Sequence, residues 1–159
     1  QPLYYVPSRV AECLASLGQV ASFGLSALYE RSLPENKKII LSCLSYFPTY
    51  LPQDLLLSAL TSAEEELQLA AIEVLQNSAK ENCSFAKDAI FTIFEAGSWR
   101  VKMATATLFS TQKWLESIAI LRHAVQKETD KKVLAAIQIA LQSLCRQPVE
   151  KTEEEKKEN

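Results

Sequence analysis

This chain is short of turn-formers, of histidine and of charge imbalance, and each shortage excludes a class of protein. Only three glycines and six prolines occur among 159 residues. An all-β architecture needs more turn residues than that, so the composition favours helix. No apolar stretch reaches the ~18 residues of a membrane-crossing helix, because Lys, Glu or Gln interrupts each run within a few positions. No basic start followed by an apolar core opens the chain, so no signal peptide is read in it. Basic and acidic residues nearly balance, 17 against 19, for a net charge of −2. The strongly basic footprint of a protein that lives on phosphate backbones is absent.

One histidine, His123, and four widely separated cysteines, Cys13, Cys43, Cys83 and Cys145, give no zinc spacing. Cys13, Cys43 and Cys145 sit among Leu and Ala in predicted helices. They read as small buried hydrophobes in a reducing compartment, which predicts a cytoplasmic protein, with a disulfide as the minor alternative. There is no Gly-rich phosphate loop and no nucleophile elbow. His123 follows Arg122 in a predicted helix and has no visible nucleophile or orienting partner. The expectation is a chain that is not an enzyme and takes no cofactor or metal.

What is present is a phrase that returns in different words. Leu67-Gln-Leu-Ala-Ala-Ile-Glu-Val-Leu75 comes back as Val101-Lys-Met-Ala-Thr-Ala-Thr-Leu-Phe109 and again as Val133-Leu-Ala-Ala-Ile-Gln-Ile-Ala-Leu141. Looser copies close at Leu44 and Leu17, so the closing residue recurs at steps of 27 to 34 residues. A helical period of a few tens of residues is the signature of a stacked array.

Caps and apolar spacing divide the chain further. Residues 1–7 read as an extended lead-in, and Ser8 caps a helix over 9–17 closed by Gly18. Helices follow over 19–31, from Leu33-Pro34-Glu35 to Phe47, and over Gln53–Leu60 after Pro48 and Pro52. Ser62 with Glu65 makes a capping-box pattern for a helix reaching Ala79, and Glu64, Glu65 and Glu66 fill its first turn as capping and solubility residues. Asn82 or Ser84 caps the next, whose Phe85, Ala86, Ala89, Ile90, Ile93 and Phe94 make one stripe. Ala96-Gly97-Ser98 stops it and caps Trp99–Thr111; then come Lys113–Lys127 and a last helix capped by Thr129 or Asp130 and running to Arg146, with Pro148 beyond. The Glu- and Lys-rich tail has no apolar residue to offset its ordering entropy. The expected organisation is a lead-in at 1–7, a helical domain at 8–147 and a charged tail at 148–159. The start at Gln1 rather than Met predicts a fragment of a larger protein.

Paired short helices at this period resemble HEAT repeats. Val101-Lys102 with Ala104 and Ala106 matches the family's first helix with Lys for Arg, and Val133 with Ala135, Ala136, Ala140 and Leu141 matches without the basic residue. Leu67 with Ala70, Ala71 and Leu75 does likewise. The resemblance implies an all-α superhelix, a solenoid of four to five antiparallel helix pairs. It also implies a scaffold or adaptor that holds another protein or peptide on its concave face, lined by the second helix of each pair. On those helices the candidate contacts are Asp54, Ser58, Lys87, Asp88, Phe91, Glu95 and Arg122. Phe91 has two readings, an exposed anchor or the second face of a sandwiched helix. Trp99 and Arg100, with Lys102, form an aromatic and basic cluster that either contacts a partner or covers the end of the stack. The alternative function is nucleic-acid binding or DNA repair, after the HEAT-like glycosylases of alkylated bases, with Trp114 joining that cluster. A third reading is a terminal cap of a larger solenoid, in contact with the rest of its own parent chain or self-associating through Leu3, Tyr4 and Tyr5.

Overall fold

A computed structural model describes Cys13, Ser16, residues 19–44 and residues 51–146. The expected lead-in, the helix at 9–17 apart from Cys13 and Ser16, Gly18, Phe47, Pro48, the self-association residues and the charged tail lie outside the described residues. Among those described there is helix and connection, and no strand. The helices are α1 (Gln19–Arg31), α2 (Pro34–Cys43), α3 (Gln53–Leu60), α4 (Glu65–Gln76), α5 (Lys87–Ala96), α6 (Trp99–Thr111), α7 (Ser117–Lys127) and α8 (Lys131–Cys145), with a 3-10 segment over Lys80–Ala86.

Packing follows two rules. Consecutive helices pair as hairpins, α1 on α2, α3 on α4, α5 on α6 and α7 on α8. Alternate helices also pack, α2 on α4, α4 on α6 and α6 on α8 in one row, α1 on α3 and α3 on α5 in the other. The returning phrase explains the first row. Its closing residues Leu44, Leu75 and Phe109 are buried, and Leu141, on the last described helix, is half-buried. Small residues between them, Ala71, Thr105 and Ala106, are fully buried and let neighbouring helices approach. The Thr105 hydroxyl is satisfied by donating to the Val101 carbonyl at 2.8 Å.

Polar groups tie the same row together. Lys38 on α2 meets Glu66 on α4 at 3.0 Å, and Arg100 on α6 meets both Glu65 and Glu66 at 2.8 Å. Lys102 on α6 meets Glu128, just ahead of α8, at 3.2 Å. Deeper in, the buried Gln112 amide donates to the carbonyls of Leu75 at 2.8 Å and Ser78 at 3.1 Å, satisfying the end of α4 from the end of α6. The acidic triplet therefore does more than begin a helix: Glu65 and Glu66 bridge three successive members of the row.

These pairs set an acid limit. Hydrogen bonds from Arg100 and then Lys38 hold the Glu66 carboxyl below its ordinary value. Lys87 does the same for Glu116. For Glu128 the backbone N–H of Asp130 is the larger cause and Lys102 the next. A carboxyl depressed by folding contributes stability above its unfolded value of about 4.3 and loses it as pH falls through the lower folded value. The melting midpoint is expected to fall as pH drops below about 4, and less steeply in Glu128→Gln than in the parent. Equal slopes in calorimetric scans would contradict the assignment of Glu128.

Several expected boundaries move, each for a visible reason. The capping box at Ser62 does not form: α4 starts at Glu65 with Glu64 at its N-cap and no side-chain cap. Ser62 Oγ instead accepts the Glu64 N–H at 3.1 Å, and the Gln68 side chain donates to the Ser62 carbonyl at 2.9 Å. Neither Asn82 nor Ser84 caps a helix, because Lys80–Ala86 is 3-10 and α5 starts at Lys87. The buried Cys83 thiol donates to the Leu75 and Ala79 carbonyls at 3.4 and 3.5 Å, pinning that segment across the end of α4. Ser98 and Asp130 do cap α6 and α8. Gly97 joins α5 to α6 where a Cβ would come within 2.8 Å of Val101 Cγ1, so the turn is closed to larger residues. The cysteine expectation is corrected: all four are free thiols, but only Cys83 is buried, Cys43 is half-buried, and Cys13 and Cys145 are exposed. Burial raises the Cys43 thiol above its ordinary value.

Candidate functional site

α5 and α7 are not among the closely packed pairs, although they follow each other in the second row. A cleft of 370 Å³ lies at this seam, lined by Phe94 and Glu95 of α5, Lys102 of α6, Ile120, His123, Ala124 and Lys127 of α7, Glu128, and Ile137 of α8. Its deep residues are apolar: Phe94 and Ile137 are buried, and Ile120 and Ala124 are half-buried. Glu95, His123 and Lys127 are exposed at its rim.

The charges in the cleft have unequal freedom. Glu128 is committed, accepting from the backbone N–H groups of Thr129 at 3.0 Å and Asp130 at 3.1 Å as well as from Lys102. Its depressed pKa keeps it an ionised acceptor rather than a proton donor. Among the described residues Glu95 and Lys127 have no ionic partner within 4.0 Å. The arrangement can bury an apolar side chain and read charge at the rim.

The expected contact residues separate into four groups. Glu95 lines this cleft, while Asp54 on α3, Asp88 on α5 and Arg122 on α7 are exposed, and Ser58 on α3 is half-buried. Lys87 and Phe91 are turned toward α6 and the loop beyond it. Lys87 pairs with Glu116 at 2.8 Å and lies 5.5 Å from the centre of the Trp114 ring. Phe91 is half-buried, its ring 5.4 Å from Phe109 and 6.2 Å from Trp114. Of its two readings, the sandwiched helix is the one its surroundings fit. Trp99 and Arg100 sit on the other row: Arg100 is held by Glu65 and Glu66, and Lys132 of α8 lies 5.6 Å over the half-exposed Trp99 ring.

Sequence reasoning passed over Lys102, His123, Lys127 and Glu128 as cleft residues. Nothing in local spacing says that two helices of a row stand apart, so no sequence signal was there to find them. Among the described residues no helix is long and apolar enough to cross a membrane, and no three His, Cys, Asp or Glu side chains gather as a metal set. No protein-family model, curated protein or solved structure matches this chain.

Proposed function

We propose that the chain is a short HEAT-like solenoid acting as a non-enzymatic adaptor, which seats a segment of another protein in the cleft between α5 and α7. The cleft itself carries the reading: an apolar floor beneath an exposed charged rim, at the one seam of the second row that neighbouring helices leave unfilled. Its volume is at the small end of the ~300–1,000 Å³ of ligand sites, which suits a few side chains of a docked segment better than a cofactor. Alternate-helix packing supports the solenoid, since each described hairpin leans chiefly on its neighbours in sequence. In arrays of the resembled kind the α3–α5–α7 side is the concave, binding side.

The nucleic-acid alternative has less support. Arg100 and Lys102 are engaged by carboxylates, and Trp114 is buried, whereas strand binding draws on free cations and exposed rings. The test is affinity capture with the full chain and with Glu95→Arg/Lys127→Glu, a double variant at exposed positions that preserves net charge. A protein captured by the parent and lost by the variant, with unchanged melting, is the expected result. An identical captured set would count against the cleft.

A further inference from the structure

We propose a second site, at the opposite end of α5, that binds an acidic segment of a partner polypeptide: a dianionic group, two adjacent carboxylates or one phosphorylated side chain, followed by an apolar residue. It stands or falls independently of the α5–α7 cleft. An open cleft of 520 Å³ is lined there by Lys80, Ser84, Lys87, Lys113, Trp114, Leu115 and Glu116. Three lysines converge on one carboxylate, in a chain whose net charge is −2. Lys87 alone is committed, to Glu116 at 2.8 Å and over the Trp114 ring. Lys80 and Lys113 are exposed, and neither has a carboxylate within 4.0 Å among the described residues. The lining therefore carries three lysines against one carboxylate, an excess of two positive charges that complements a dianion. Beside them Leu115 is 47% exposed and offers an apolar contact.

The backbone gives an independent reason. α6 ends in a paired-turn stop, with the N–H of Lys113 donating to the Ser110 carbonyl at 3.3 Å and that of Trp114 to the Phe109 carbonyl at 3.0 Å. The Trp114 and Phe109 rings, 6.0 Å apart, make the apolar contact that accompanies this motif. The motif places Lys113 in the left-handed region, at φ 56, the one non-glycine residue with positive φ among those described. Glycine suits that position and a side chain strains it. A lysine there costs local stability, in a cleft already rich in cations, and strain of this kind concentrates at binding sites. A peptide is favoured over a nucleic acid because the basic patch is short, Glu116 lies within it, and Trp114 is too buried to stack on a base.

The test uses the full chain and four labelled probes: a nonapeptide of three Glu-Glu-Leu units, the same with phosphoserine-Gln in place of each Glu-Glu, the neutral Gln-Gln-Leu version, and a ten-residue oligothymidylate. Fluorescence polarisation is read at low and moderate salt, and Trp114 emission in a Trp99→Phe background. Saturable, salt-sensitive binding of an acidic peptide is expected, and the preferred one identifies the source of the dianion. Lys113→Gly is expected to weaken that binding about 3- to 5-fold while raising the melting midpoint by about 2–4 °C. Lost affinity with gained stability separates recognition from misfolding. Lys80→Glu/Lys113→Glu should abolish binding. Binding by neither acidic peptide, equal affinity in Lys113→Gly, or tighter binding of the oligonucleotide would each overturn the proposal.

Discussion

Leu75→Asp is expected to unfold the protein. Leu75 is fully buried on α4, the helix that packs on both α2 and α6. Removing a buried leucine side chain costs about 2–5 kcal/mol. Placing a carboxylate there without a cation adds several kcal/mol more, because a buried unpaired charge loses its water without replacement. The nearest side-chain donors are already engaged: Gln112 and Cys83 both donate to the Leu75 carbonyl. Whole domains hold about 5–15 kcal/mol, so the sum reaches the total. Far-ultraviolet circular dichroism should show a largely lost helical signal at 25 °C. A melt like the parent's would remove Leu75 from the seam between rows.

The second large effect is expected at Phe109. Its ring is fully buried and lies 5.4 Å from Phe91, 5.5 Å from Phe94 and 6.0 Å from Trp114. It is therefore the common member of an aromatic cluster contributed by α5, α6 and the turn after α6. Phe109→Ala is expected to cost about 3–5 kcal/mol, which lowers the melting midpoint by about 6–20 °C in a chain of this size. Phe91→Ala should cost less, since Phe91 is only half-buried and touches two of those rings. A larger loss at Phe91 than at Phe109 in denaturant titrations would show that the cluster is centred elsewhere.

Much of the helical layout was legible because each helix carries its own signal. The apolar stripe and the Ser98 and Asp130 caps are local, and Gln19–Arg31, Gln53–Leu60 and Trp99–Thr111 come out with the bounds that spacing gives them. The misread boundaries are places where a distant contact decides. Lys80–Ala86 is 3-10, with Cys83 tied to α4 and the weak helix formers Asn82, Cys83 and Ser84 at its centre. Lys113–Glu116 reads as the first turn of a helix, but the ring contact between Trp114 and Phe109 closes α6 with a stop and delays α7 to Ser117. No glycine marks that stop, so composition could not announce it. The exposed Cys13 and Cys145 show the opposite failure: neighbours of the right kind do not say which way a small side chain faces.

The candidate sites were harder to read. Lys87 and Glu95 were legible as polar positions on one helix, yet they belong to two separate clefts. Lys113 and Glu116 gained meaning only once the turn after α6 folded them back toward Lys80 and Lys87. The charge pairs of Arg100 join residues 34 and 35 positions apart, a relation visible in the sequence only if the repeat spacing is taken as spatial adjacency.

The most direct measurement is the distance between spin labels at Asn36 on α2 and Lys131 on α8, in a chain whose four native cysteines are replaced. Helices that contact lie about 8–10 Å apart between axes, and close packing links α2 to α8 through α4 and α6. A single narrow population near 25 Å, a figure set by three such steps, is what an open row of hairpins requires. A population below about 15 Å, the spacing of helices sharing one centre, would mean that the ends interlock and that no row exists.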